Sequence, residues 1–391
     1  MAPNHALVFG ASGISGWAIT KALAEGYPTK DTFESITALT NRPLSREDAL
    51  WPATSKLDIV SGIDILTEAG QDAFEAELKE KVKNISSITH VYFYAYIMSE
   101  DSAKEVSTNE ELIKRAVTAV ENLSPSLKYV VLPTGTKAYG VMLLDKFPFP
   151  KDLPLSEKLP RIPEPWRSQM FYYSQVDALA AMGQGKKWTW CEIIPDVVVG
   201  FVPNNNVYCM AQVLSTYLSL YAEVNGKGSD VAFPGTELSW KALSNDSSQD
   251  IVAKASIIAS LRPEKSAEQR YNTADDPAPS SWSQKWPIVC DYFGLKGVGP
   301  SPSGPQPTEY CADHLDEWKA MEEKYGLKKG RVGNDRSFGG FPYLIMTLFD
   351  FDRNLDVSKV QDMMGDYKVE GDTKSVWYTA FDRFREAKII P

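Results

Sequence analysis

Histidine and cysteine are scarce in this chain, with three His and four Cys among 391 residues. The cysteines (Cys191, Cys209, Cys290 and Cys311) stand far apart, without a CxxC pair or a histidine spacing that would complete a tetrahedral metal site. They read as buried apolar thiols of a reducing compartment, with no metal expected. Positive charge is short as well. Lys and Arg total 41 against 51 Asp and Glu, and the net charge of -10 opposes a nucleic-acid groove, which needs clustered cations to replace phosphate counterions. Long hydrophobic runs are missing too: no segment reaches the roughly 18 apolar residues of a membrane span. Val207 to Val224 comes nearest, but Gln212, Ser215, Thr216 and Ser219 interrupt it, so it reads as an amphipathic helix lining a pocket or a subunit contact. No basic leader with an apolar core precedes the first strand. A cytoplasmic protein with neither nucleic acid nor membrane as partner is the expectation.

Apolar residues make up 43% of the chain and aromatics 11%, enough to bury a substantial core in one large domain or two unequal lobes. The first half alternates strand and helix. His5 to Phe9 is a short apolar run that ends in Gly10-Ala11-Ser12-Gly13-Ile14-Ser15-Gly16, followed by helical spacing from Trp17 to Glu25 and a stop at Gly26. Further strands are expected at Ser35 to Thr40, Ile88 to Tyr96, Lys128 to Leu132 and Thr189 to Ile194, with helices at Thr67 to Lys83 and Thr108 to Asn122. This pattern predicts an α/β protein of Rossmann type, with a doubly wound parallel sheet and the site at the carboxyl ends of its strands. Residues 1–200 form the expected NADP-binding domain. Residues 201–391 are helical in pattern, with a Pro/Gly/Ser-rich connector at Gly297 to Pro307, and predict a smaller substrate lobe with some segments returning to the sheet.

The glycine turn carries the first chemistry. Gly10 allows a tight exit from the strand, Gly13 lets the backbone approach a pyrophosphate, and Gly16 lets the helix pack closely with its amino end facing the anion. At the end of the second strand the chain has Thr40-Asn41-Arg42-Pro43, with no carboxylate for a ribose diol and a guanidinium suited to a 2′-phosphate. NADPH is the expected cofactor. Dinucleotide folds of this kind usually place a tyrosine and a lysine four residues apart on one helix; here Tyr325 and Lys329 have that spacing far from the predicted sheet, and the residue four after Tyr173 is Asp177. Lys137 instead follows a strand whose carboxyl end should face the nicotinamide, and Thr134-Gly135-Thr136 can turn the chain sharply there.

Thr134-Gly135-Thr136-Lys137 with Tyr139, followed by Phe171-Tyr172-Tyr173, resembles the signature of the progesterone 5β-reductase and iridoid synthase group, atypical members of the short-chain dehydrogenase/reductase superfamily. The likeness runs through Gly10 to Gly16, Asn41-Arg42-Pro43, Thr89-His90-Val91, Pro195 to Phe201, Phe233-Pro234-Gly235 and the terminal Ala387 to Pro391. It implies that Tyr173 and Lys137 are the catalytic residues. It also implies that Gly10, Ser12, Gly13, Ile14, Gly16, Asn41 and Arg42 contact NADPH, together with Asp64, Ile65, Ala95, Pro133, Tyr173 and Val198. The group commonly has two arginines where this chain has Asn41 and Arg42, a histidine at Ala138 and an asparagine at Met170.

Hydride added to the β-carbon of an enone, or to a carbonyl carbon, leaves negative charge on the carbonyl oxygen. A tyrosine hydroxyl can stabilise it, and a nearby ammonium is expected to pull the phenol below its reference pKa of about 10. The resemblance favours 1,4-reduction of an activated C=C bond, with 1,2-reduction of a ketone as the alternative. A non-catalytic NADP sensor would have no reason to keep the Tyr/Lys pair, and a sugar epimerase would show the four-residue motif. The substrate is expected to be small, apolar and carbonyl-bearing. Tyr94, Tyr96, Trp166, Phe171, Tyr172, Met210 and Phe341 are its candidate walls, and the fold class is compatible with a homodimer.

Overall fold

The computed structural model describes residues 3–302, 304–334 and 339–391. Its centre is a seven-stranded sheet built from β1 (Asn4–Phe9), β2 (Phe33–Thr40), β3 (Leu57–Ser61), β4 (His90–Phe93), β5 (Tyr129–Pro133), β6 (Thr189–Pro195) and β7 (Gln269–Thr273). The strand order is β7-β6-β5-β4-β1-β2-β3, and every neighbouring pair is parallel. The chain therefore winds outward from β1 in one direction and restarts at β4 in the other. A crevice opens at the carboxyl ends of β1 and β4, where the direction reverses.

The strands are apolar on both faces because helices cover both. On β1 the side chains of Ala6 and Val8 join one core, while Leu7 and Phe9 join the other. The same alternation places Tyr129 and Val131 of β5 on the first face and Val130 and Leu132 on the second. Three helices, α2 (Gln71–Lys81), α3 (Ser102–Leu123) and α4 (Phe171–Gly183), cover the second face through Phe74, Leu78, Leu112, Val117 and Leu179. The outer side of α3 is polar, with Glu110–Lys114 and Glu111–Arg115 pairs one turn apart. The first face holds α1 (Ile14–Ala24), and against it α6 (Gln249–Leu261), which returns to the sheet from the second half of the chain as β7 does.

Two expectations change here. Met210 to Leu220 of α5 (Met210–Asn225) is buried without a break, so this is a core helix rather than an amphipathic one. Its polar residues are satisfied locally, since the hydroxyls of Ser215 and Thr216 both donate to the Gln212 carbonyl. The helix packs on α7 (Thr373–Glu386) and on the short helix Pro307–Asp313. The expected connector at 297–307 begins as a strand, Lys296–Pro300, paired in parallel with Asp230–Phe233, and its residue 303 lies outside the described residues. Among the described residues no helix is long and apolar enough to cross a membrane.

The entry to α1 depends on close backbone contact. Gly10 sits at a φ of +72°, and a Cβ on Gly16 would lie 2.3 Å from the Gly10 carbonyl oxygen, so the helix can start only where it does if residue 16 has no side chain. Gly16→Ala should force the turn open at a cost of roughly 1–3 kcal/mol, read as a lower midpoint of thermal unfolding; an unchanged midpoint would contradict this packing.

Candidate active site

One cavity of about 760 Å³ runs along the carboxyl edge of the sheet. Gly10, Ser12, Gly13, Ile14 and Gly16 line its middle, Asn41, Arg42, Asp64 and Ile65 one end, and Ala95, Pro133 and Val198 the other. The fit to a dinucleotide rests on two features of the turn. Gly13 begins α1 without a capping side chain, and the first helical turn has no acidic residue, so the positive end of the helix dipole faces the cavity. A Cβ on Gly10 would lie 2.5 Å from the Tyr94 carbonyl oxygen, so the strand exit stays as narrow as a closely bound backbone requires.

Lys137 reaches the opposite end of the cavity from a 3₁₀ turn, Thr136–Tyr139, directly after β5. Its neighbours are each pinned. The Thr136 hydroxyl donates to Asp196 Oδ1 at 2.9 Å, the Ala138 carbonyl accepts from the Tyr173 hydroxyl at 2.5 Å, and the Tyr139 hydroxyl donates to Asn272 Oδ1 at 2.7 Å. Asp196 in turn forms a buried ion pair with Arg353 at 3.1 Å.

The catalytic assignment of Tyr173 does not survive this geometry. Successive residues of a helix point about 100° apart, so only one of the two tyrosines that open α4 can face the cavity, and Tyr172 is the one that lines it. The Tyr173 hydroxyl points the other way, donating to Ala138 and accepting from the Ile162 amide at 3.0 Å, with 6% of the residue exposed. Tyr173 contacts no part of the dinucleotide cleft either. Its place is behind the Lys137 turn, which it holds.

Around Lys137 the walls are aromatic. The ammonium lies 5.1 Å from the centre of the Phe171 ring and 6.0 Å from that of Tyr172. Tyr96 stacks on Phe171 at 5.1 Å, and Tyr208 bridges from Tyr96 to Phe341. Among the expected walls, Tyr94, Tyr96, Phe171, Tyr172 and Phe341 line the cavity, although the Tyr94 hydroxyl is committed to Ser256 Oγ at 2.6 Å. Trp166 and Met210 do not. Trp166 sits off the cavity beside the Lys146 ammonium, and Met210 is buried in the core at the start of α5.

Sequence reasoning missed Glu105 and Tyr208, which both line this chamber. Glu105 Oε2 lies 3.9 Å from Lys137 Nζ, and its Oε1 accepts from the Tyr96 hydroxyl. Burial pushes the Lys137 ammonium below its usual pKa while Glu105 raises it. The expected lowering of the tyrosine is overturned. Burial, reinforced by the negative charge of Glu105, pushes the Tyr172 hydroxyl upward, and Tyr172 therefore faces the cavity as a neutral donor.

A family model described as a PRISE-like Rossmann-fold domain matches residues 6–391. The chain belongs to this family. The short chain dehydrogenase sirQ of Leptosphaeria maculans is 33% identical, covering 99% of this chain and 97% of that protein. The 3-oxo-Delta(4,5)-steroid 5-beta-reductase of Arabidopsis thaliana is 27% identical over 75% of this chain and 70% of its own. Among solved structures, the Bordetella bronchiseptica enzyme WbmH in complex with NAD+ shares the fold, with a TM-score of 0.58 at 15% identity over 98% of this chain and 99% of that one. This PRISE-like protein is an oxidoreductase of the short-chain dehydrogenase superfamily.

In this PRISE-like chain, Tyr173→Phe removes the hydroxyl that satisfies two buried backbone groups, the Ala138 carbonyl and the Ile162 amide. A loss of about 1–3 kcal/mol in stability is expected, measured by denaturant unfolding; no loss would mean that water or another donor replaces the hydroxyl.

Proposed function

We propose that the protein is an NADPH-dependent reductase of an apolar enone, adding hydride to the β-carbon of an activated C=C bond. The observation that carries this reading is the placement of a neutral Tyr172 hydroxyl beside Lys137 in an aromatic chamber continuous with a dinucleotide cleft. When bound, the reduced nicotinamide supplies the hydride. Tyr172 donates a hydrogen bond to the substrate carbonyl oxygen, where the displaced electron pair collects, and so stabilises the enolate. Lys137 adds positive charge beside the Phe171 and Tyr172 rings, where partial burial strengthens its field relative to open water. The stacked Tyr96 and Phe171, with Tyr208 and Phe341 lining the same cavity, suit a flat apolar substrate. The name of the Arabidopsis relative, a reductase of the Δ4,5 bond of a 3-oxo steroid, is in keeping with attack on C=C.

The preference for NADPH over NADH rests on charge. Arg42 lines the adenine-side end of the cavity, and no carboxylate follows β2. A second guanidinium, Arg331, comes from the distant segment at 328–334, which is tied down by a Lys328–Asp48 ion pair of 2.7 Å and a contact of 3.5 Å between the Asn205 amide and the Gly330 carbonyl. Burial lowers the pKa of Arg331, Asp48 raises it, and the positive charge of Arg42 adds to the lowering. Arg331 does not line the cavity, so Arg42 is the guanidinium placed to meet a dianionic 2′-phosphate, with Arg331 adding positive charge near it.

Tyr172→Phe should lose about 10²- to 10³-fold in kcat while keeping its affinity for NADP+; near-normal turnover would remove Tyr172 from the reaction. With a small cyclic enone the wild type should yield the saturated ketone, and an allylic alcohol would instead assign 1,2-reduction. In calorimetric titrations Arg42→Ala should weaken NADP+ about tenfold or more and leave NAD+ nearly unchanged, whereas equal weakening of both would deny this residue a part in selecting the phosphate.

A further inference from the structure

Glu105 stands in the first turn of α3, far in sequence from β5 and α4, and its side chain is only 12% exposed. Its carboxylate is divided between two partners that both line the cavity. Oε1 accepts from the Tyr96 hydroxyl and Oε2 faces Lys137 Nζ at 3.9 Å. The arrangement is built by the surrounding chain. One turn further along α3, the Asn109 side chain clamps the backbone of Ile97, accepting from its amide at 3.0 Å and donating to its carbonyl at 2.7 Å. That clamp fixes the residue next to Tyr96 and so brings its hydroxyl over Glu105.

We infer that Glu105 is a positioning residue of the reaction, the counter-ion that holds the Lys137 ammonium at the substrate chamber, with Tyr96 orienting the carboxylate in turn. This rests on the proposed role of Lys137. The rings beside Lys137 are Phe171 and Tyr172 from α4, and Tyr208 from the segment before α5 and Tyr96 from the loop after β4 line the same cavity. Asp196, from the end of β6, is engaged by Thr136 and Arg353. Arg42, the other cation lining this cavity among the described residues, lies at the adenine-side end. Glu105 is therefore the acidic group placed to balance Lys137. The sign of its effect is defined. Burial disfavours the ammonium and Glu105 favours it, so removing the carboxylate's charge makes Lys137 give up its proton at lower pH.

The same carboxylate also constrains the substrate. It presents an acceptor beside the lysine, so a ligand carboxylate placed next to Lys137 would face Glu105 as a like charge. A neutral ketone or aldehyde oxygen meets no such repulsion, and the pair thus selects neutral carbonyl compounds over the corresponding acids.

The test is the pH profile of kcat for wild type, Glu105→Gln, Glu105→Asp and Lys137→Met, with NADP+ affinity measured separately by fluorescence. Glu105→Gln keeps the shape and can still bond to Tyr96, so its cofactor affinity should be unchanged. Its alkaline limb should move to lower pH, giving a loss of kcat that grows with pH, and Glu105→Asp should recover part of the shift. A Glu105→Gln profile that superimposes on wild type, or one lowered equally at every pH, overturns the inference. Wild-type turnover in Lys137→Met would overturn the reading of Lys137 itself. A large loss in Lys137→Met beside an unmoved limb in Glu105→Gln would overturn only the role given to Glu105.

Discussion

The Tyr173 hydroxyl donates to the Ala138 carbonyl and accepts from the Ile162 amide, and this two-ended contact ties the start of α4 to the turn that carries Lys137. The turn has no regular strand or long helix to stiffen it. Its geometry comes from side chains that grip the residues flanking the lysine: Asp196 through Thr136, Tyr173 through Ala138 and Asn272 through Tyr139. Each grip comes from a different element, the end of β6, α4 and β7. A lysine so placed is fixed by the whole sheet edge, and the neighbouring Tyr172 inherits its position from the same helix that supplies Tyr173.

Much of this was legible in the sequence because it depends on residue type and local spacing. The alternation of apolar runs predicted the parallel sheet, the glycine turn predicted the cleft, and Lys137 after an apolar strand predicted a cation at the opposite end of it. The choice between Tyr172 and Tyr173 was not legible. Two identical neighbours differ only in helical phase, and the phase is set by what each hydroxyl can reach behind or in front of the helix. Glu105 and Arg331 were hidden for another reason: each looks like an ordinary surface charge in its own segment, and only the fold brings it beside a site residue. The 207–224 stretch is a core helix although Gln212, Ser215, Thr216 and Ser219 interrupt its apolar run, because two of these hydroxyls bond back to their own helix and so can be buried.

The electrostatics of the chamber follow from burial. Partial burial disfavours charge on both groups, and this weakens both the ammonium of Lys137 and the acidity of Tyr172. The same burial strengthens hydrogen bonds made to charge that develops beside them. A weakly acidic phenol is suited to sharing its proton with an enolate oxygen rather than surrendering it, and this is compatible with hydride addition at carbon two bonds away from the carbonyl.

The Asp196–Arg353 pair has a bearing on how the chain folds as a whole. Asp196 belongs to the end of the sheet and Arg353 to the C-terminal third, and both are almost fully buried. Either charge alone in that position would carry a desolvation cost of several kcal/mol. The sheet edge that holds the Lys137 turn is therefore coupled energetically to the docking of the last third of the polypeptide. The geometry of the Lys137 turn and the cooperativity of folding thus meet at one ion pair, with the Thr136 hydroxyl as the other partner of Asp196.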